Sequence, residues 1–152
     1  MNERVKKSYD NLFLDFNNLT ELLSNNNYLS KLSGNYLNMF ILQATFQIKN
    51  VHQEKFFSNL INKIIKDFSL VNSTVDVDLF VGFTQGATSI IHRDDYDVFL
   101  YSLYGETVYI VNKKKYMIEQ GDLIKINKNE THQAIGMSPR IVFSLGVHYE
   151  RK

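Results

Sequence analysis

The sequence predicts a mainly β fold whose N-terminal third is helical and covers a small β-barrel. Three observations carry that reading. The strongest amphipathic helical stripe lies before residue 70, the apolar residues after it fall into short alternating runs, and those runs are separated by turn signals such as Gly105-Glu106, Asn112-Lys113 and Gln120-Gly121-Asp122. Many short strands punctuated in this way argue for a sandwich or barrel rather than alternating β and α units. At 152 residues one domain, 1–152, is expected, with 1–70 as helical cover plus a lead-in strand and 71–152 as the barrel core.

The elements follow in order. Leu12, Phe13, Phe16, Leu19, Leu22 and Leu23 recur at spacings of three and four, which suits one or two short helices broken at Ser24-Asn25-Asn26-Asn27. Gly34-Asn35 reads as a turn, and 37–48 is rich in β-branched and aromatic residues, the composition of a strand. Asn50 is a suitable N-cap for a helix over 51–68, in which Phe56, Phe57, Leu60, Ile61, Ile64, Ile65 and Phe68 form one stripe to pack on a sheet. Strands are then predicted over 75–83, 88–93, 98–104, 107–111, 116–118, 123–126, 131–135 and 141–148, with Pro139 giving the last an extended lead-in. The run Lys113-Lys114-Lys115 reads as a hairpin turn.

Composition excludes several function classes. Hydrophobic residues make up 44% and charged residues 22%, the balance of a globular protein. The net charge is +1 with no block of five like charges, so neither nucleic acid nor an anionic membrane is expected as a partner. The absence of cysteine removes disulfides, thiolate zinc sites and cysteine nucleophiles, so any metal must be held by nitrogen and oxygen. Residues 1–10 are polar, without the apolar core of a signal peptide, and no stretch approaches the roughly 20 apolar residues of a membrane span; a cytoplasmic location is the expectation.

The chemistry concentrates at His92, Asp94 and His132. On a strand, His92 and Asp94 would point to one side. With His132 they make two imidazoles and one carboxylate, a set that can hold Fe(II) on one face and leave the other positions open. The alternative for the pair is a surface ion contact on an edge strand.

The spacing around these residues resembles the cupin superfamily. Gly86, five residues, His92, one residue, Asp94, three residues, Val98, six residues, Gly105 follows the first cupin motif, with Asp for its second His and Val for its Glu. Gly121, five residues, Asn127, one residue, Asn129, two residues, His132, three residues, Gly136 follows the second, with Asn, Asn and Gly for its usual Pro, Gly and Asn. The resemblance implies a double-stranded β-helix, the cupin or jelly-roll barrel, with N-terminal helices. Val98 removes the fourth protein ligand that other cupins use. The stretch from Gly86 to Asp94, followed by an aromatic strand and Tyr104-Gly105, is similar to the Jumonji-like oxygenases that depend on Fe(II) and 2-oxoglutarate.

That resemblance implies Fe(II) at His92, Asp94 and His132, with 2-oxoglutarate as cosubstrate, O2 as oxidant and hydroxylation of a small-molecule or carrier-bound substrate. Ser89 stands where such enzymes often carry a hydroxyl for the cosubstrate carboxylate. Thr107 stands where many carry a lysine for the far carboxylate, and Arg140, with its carboxylate-matching fork, is the replacement cation, against the alternative of a surface arginine. Val98, Tyr101 and Tyr109 are expected to line the substrate pocket. Asp95 and Asp97 read as solvated turn residues or as outer acceptors for the metal ligands, and His52 and His148 as surface histidines. A strand edge over 37–48 makes a homodimer an expectation. Two other functions fit the same residues: a metal-binding cupin without oxygen chemistry, such as an isomerase, epimerase or lyase, and a non-enzymatic ligand-binding barrel.

Overall fold

The computed structural model describes residues 3–25, 45–87 and 89–149. Among them the chain is mainly β. Strands β1 (Val5–Lys6), β2 (Thr45–Ile48), β3 (Ser73–Gly82), β4 (Gly86–Ala87), β5 (Asp97–Tyr104), β6 (Thr107–Val111), β7 (Lys114–Ile118), β8 (Leu123–Ile126), β9 (His132–Gly136) and β10 (Arg140–Tyr149) accompany helices α1 (Phe16–Asn25) and α2 (Lys55–Asp67). The strands form two antiparallel sheets, one of six in the order β1-β8-β5-β10-β3-β2 and one of four in the order β4-β9-β6-β7. No described helix is long and apolar enough to cross a membrane.

The six-stranded sheet is buried on both faces, and strand alternation decides which face each residue serves. On β5, Phe99, Tyr101 and Leu103 join α2 residues Phe57, Leu60 and Ile64 in one core, whereas Val98 and Leu100 join Tyr109, Val111 and Ile118 in a second core between the sheets. β10 divides the same way, with Ile141, Phe143 and Leu145 toward the helices and Val142 between the sheets. This accounts for the near-continuous burial of β5 and β10, which blurs the alternation that a sheet with one wet face would show.

Most predicted strands are present within a residue or two. The turn Asn112-Lys113 has both residues at positive φ, 48° and 68°, as a two-residue hairpin turn requires, and Lys114 and Lys115 belong to β7 rather than to the turn. Residues 26–37, with the predicted turn at Gly34-Asn35, lie outside the described residues, as does the predicted strand up to residue 44.

Three expectations are corrected. Asn50 does not cap a helix: it sits at φ 62° without a side-chain cap bond, Val51–Gln53 forms a single 3-10 turn with Val51 fully buried, and α2 starts at Lys55. The turn ends at Glu54, whose extended backbone (φ -75°, ψ 121°) separates it from α2. Phe56 of the predicted stripe is exposed while Phe57, Leu60, Ile61 and Ile64 are buried. Residues 89–96 are not a strand. The Ser89 hydroxyl accepts the Ala134 N–H at 3.1 Å, in the place of a ladder carbonyl, and the next backbone pairing is an isolated bridge between His92 and His132. Ile90 and Ile91, 75% and 66% exposed, have no face to bury and leave the segment as a loop.

Candidate metal centre

Two imidazoles and one carboxylate converge where the 89–96 loop crosses the start of β9. The reciprocal backbone bridge, His92 N–H to His132 O at 3.0 Å and His132 N–H to His92 O at 2.9 Å, sets the rings side by side. Their centroids are 4.2 Å apart at an angle of 56°. Each Nδ1 is tied to the carbonyl two residues earlier, His92 to Ile90 at 2.8 Å and His132 to Glu130 at 3.0 Å. A proton held on Nδ1 by that carbonyl leaves Nε2 as the lone-pair donor. Both Nε2 atoms face Asp94, His132 at 3.3 Å from Oδ2 and His92 at 3.8 Å from Oδ1. Asp94 is held from its backbone, whose carbonyl accepts the Asn129 N–H at 2.8 Å, and Arg93 Nε donates to Thr131 Oγ1 at 3.0 Å. So His92 and Asp94 meet through a loop laid on the 127–131 turn, not through the pleat of a strand.

Electrostatics follow from that geometry. The hydrogen bond from His132 holds the Asp94 carboxyl below its ordinary value, against a burial that pushes it up. Burial pulls the His132 imidazole down, but the bonds to Asp94 and to the Glu130 carbonyl outweigh it and leave the ring above its ordinary value. One ligand atom from each of the three residues lies within 4.8 Å of the others, close to the span of two metal–ligand bonds of about 2.0–2.2 Å each. The two nitrogens and one carboxylate suit a divalent first-row ion, and a cation there would occupy the place of the proton that His132 and Asp94 share.

The three residues form one end of a cavity of about 180 Å³ between the two sheets. Its walls include Phe80, Val98, Leu100, Tyr109 and Val142, and its other end carries Thr45, Thr107 and Arg140. Arg140 is 2% exposed, so it is not a surface arginine. Its Nη1 donates to the carbonyls of Thr84 at 2.6 Å and Ser138 at 3.1 Å, and its Nη2 to Thr45 Oγ1 at 2.7 Å. All three acceptors are neutral, and among the described residues no carboxylate pairs with it. Burial pulls the Arg140 guanidinium down, but an arginine remains charged. A buried guanidinium without a counter-charge is costly unless an anion joins it. The Thr107 hydroxyl is buried beside the Tyr109 phenol and makes no hydrogen bond of regular geometry, which leaves it able to satisfy a ligand. Burial also pushes the Tyr109 phenol well up.

The cavity therefore brings together Ser89, His92, Asp94, Val98, Thr107, Tyr109, His132 and Arg140. Tyr101 does not belong to it. Its ring faces the helix side of the six-stranded sheet, fully buried, and its hydroxyl donates to the carbonyls of Asp10 at 3.0 Å and Leu12 at 2.9 Å. Val98 and Tyr101 are three apart on one strand and cannot share a face. Asp97 is not a solvated turn residue either: it accepts the Lys128 N–H at 2.8 Å, the Tyr149 hydroxyl at 3.2 Å and pairs with Lys125 at 3.2 Å. His52 is exposed, and His148 is exposed and bonded to Asp76 at 3.0 Å. Leu100, Ala134, Val142 and Ser144 line the cavity without having been singled out, although period two from Val98, His132 and Arg140 points to each. Thr45 carries no such signal. A wider depression, about 420 Å³, lies between residues 8–13, Lys63 and Gln120-Gly121; it is open to solvent, and its Lys63–Asp10 pair is satisfied at 2.9 Å.

No protein-family model matches the chain, and no curated protein matches it in sequence. Solved structures do match in fold. The ribosomal oxygenase YcfD from Escherichia coli in complex with cobalt and succinic acid aligns with a TM-score of 0.62 at 17% identity, over 71% of this chain and 32% of that one. The same protein with cobalt and 2-oxoglutarate aligns with a TM-score of 0.61 at 18% identity over the same shares. The SPY1581 protein of unknown function from Streptococcus pyogenes aligns with a TM-score of 0.53 at 11% identity, over 72% of this chain and 78% of that one. The chain thus spans about a third of the length of the YcfD structures. At these identities the likeness concerns the fold alone: the chain shares its two-sheet, mainly antiparallel β architecture with these structures.

Proposed function

We propose that this chain is a double-stranded β-helix oxygenase that uses Fe(II) and 2-oxoglutarate to hydroxylate a small-molecule or carrier-bound substrate. The observation that carries the reading is one cavity with a two-histidine, one-carboxylate cluster at one end and a buried arginine lacking a carboxylate partner at the other. His92 and His132, neutral and offering Nε2, and ionised Asp94 would hold the ion, leaving its remaining positions toward the cavity. When bound, the iron supplies activation of O2, coupled to conversion of 2-oxoglutarate to succinate and CO2 and to insertion of one oxygen atom into a substrate C–H bond.

The chain's own residues do the rest. Arg140 supplies the charge for the far carboxylate of a dicarboxylate that reaches from the ion, the role a lysine at position 107 plays in related enzymes, and Thr107 adds the buried hydroxyl beside it. Val98, Leu100 and Val142 give the space between an apolar wall. At about 180 Å³ the cavity is below the roughly 300–1,000 Å³ of pockets that enclose drug-sized ligands. It takes the cosubstrate and only the reacting end of a substrate.

The test is anaerobic titration of Fe(II)-loaded protein with 2-oxoglutarate, followed by visible absorption. A weak charge-transfer band that saturates with 2-oxoglutarate, together with succinate formation when O2 is admitted, is the expected result. Tight metal binding with no band and no succinate would favour a cupin without oxygen chemistry.

A further inference from the structure

We infer that Gly136 and Gly82 are positioning residues, forming a slot that aims the Arg140 guanidinium into the cavity and so sets the preference for the cosubstrate. The inference rests on the function proposed above and adds residues that do not touch the cosubstrate themselves.

Gly136 is a glycine with no backbone reason to be one. Gly136 ends β9, and neither it nor Gly82 at the end of β3 has a φ in the left-handed region that favours glycine; Gly86, Gly105 and Gly121 do. Glycine inside a strand weakens it and marks a place where another group must approach closely. Here that group is one guanidinium. A Cβ at Gly136 would lie 1.9 Å from Arg140 Cζ and 1.9 Å from Nη1, and a Cβ at Gly82 would lie 2.6 Å from Cζ and 2.7 Å from Nη2. Both are well inside contact distance, and the obstructing atoms are the planar head whose placement matters rather than a free chain end. The head has little room to give way, because Nη1 and Nη2 are fixed to Thr84 O, Ser138 O and Thr45 Oγ1.

Register explains why these two positions act together. Gly82 is the cross-strand partner of both Arg140 and Thr45, and Gly136 is the partner of Thr107, whose hydroxyl is buried. Two glycines, two threonines and one arginine thus form the anion end as a unit. Gly136 also stands where the second cupin motif usually has Asn, and an asparagine side chain would fill the volume that the guanidinium occupies. The departure from the motif and the placement of the cation are one feature.

The experiment uses the Mn(II)-loaded full chain and isothermal titration with two probes, 2-oxoglutarate and 2-oxobutyrate, the second lacking the far carboxylate. Wild type should bind 2-oxoglutarate at least tenfold more tightly than 2-oxobutyrate. Gly136→Ala should lose most of that preference while its affinities for 2-oxobutyrate and for Mn(II) stay within about twofold. Adding Gly136→Ala to Arg140→Ala should change nothing further, since the side chain it collides with is gone; melting of the double variant above that of Gly136→Ala alone reports the same relief, even where the single variant folds poorly. A folded Gly136→Ala protein that keeps the wild-type preference, or a double variant that melts no higher than Gly136→Ala, overturns the slot alone. A wild-type protein with no preference between the probes overturns the proposed function and, with it, the slot.

Discussion

The orientation of single side chains decides the chemistry here, and Tyr101 and Tyr109 make the point. Both are aromatic residues on strands that border the cavity, yet one face of β5 serves the helices and the matching face of β6 serves the cavity. Tyr101→Phe is therefore expected to cost about 1–2 kcal/mol, because the half-buried carbonyls of Asp10 and Leu12 lose the one hydroxyl they share, while Mn(II) affinity stays unchanged; urea unfolding and metal titration measured together check this. Asp94→Ala is expected to weaken metal binding by at least 100-fold, since it removes the carboxylate that both Nε2 atoms face. Metal binding retained in that variant would remove the triad from the candidate site.

At the scale of elements, α2 and the turn before β9 carry separate loads. Phe57 is fully buried and stacks on Phe143 of β10 at 5.5 Å between centroids, so Phe57→Ala is expected to destabilise by about 3–5 kcal/mol, read as a shift in the denaturant midpoint. The turn 127–131 is tied to the N-terminal strand through Glu130, which accepts both Arg4 nitrogens at 2.6 and 2.7 Å and the Asn127 N–H at 2.8 Å. The Arg4 hydrogen bond, followed by the Asn127 bonds, holds the Glu130 carboxyl down to about 2, below its ordinary 4.5. A carboxyl lowered in the folded state contributes stability that is complete above pH 4.5 and is lost as pH falls toward 2. Arg4→Met is accordingly expected to cost about 1–2 kcal/mol at pH 7 and progressively less below pH 4.5, with metal-free protein melted across that range as the check.

Across the whole molecule, the proposed function would link metal, cosubstrate and stability through one cavity between the sheets. The ligands come from a loop and β9, and the anion end from β2, β6 and β10, so occupancy ties the two sheets together. A metal at 100 times its Kd should stabilise the fold by about 2.7 kcal/mol, roughly 5–10 °C in Tm at this size, and a chelator should reverse it; a Tm indifferent to both would mean that no metal binds the folded chain.

Much of this was legible in the sequence because it depends on local rules. Alternation, turn residues and the spacing of Gly86, His92, Asp94, Gly105, Gly121 and His132 follow from backbone geometry that neighbours in the chain impose. They carry the strands, the covering helix, the mainly β architecture and the three residues that converge at the end of the cavity. What remained needed the tertiary structure, for physical reasons that can be named. A sheet buried on both faces hides which parity faces the cavity, so the sequence alone does not show that Tyr101 faces the helices. A side chain replacing a ladder carbonyl, Ser89 for Ala134, turned an expected strand into the loop that holds His92 and Asp94. The contribution of Thr45, 95 residues from Arg140, has no local signature at all. The sequence by itself determined which groups are available for chemistry, and only the packing of two sheets decided that a charge without a counter-charge, a buried hydroxyl, two imidazoles and a carboxylate line one cavity.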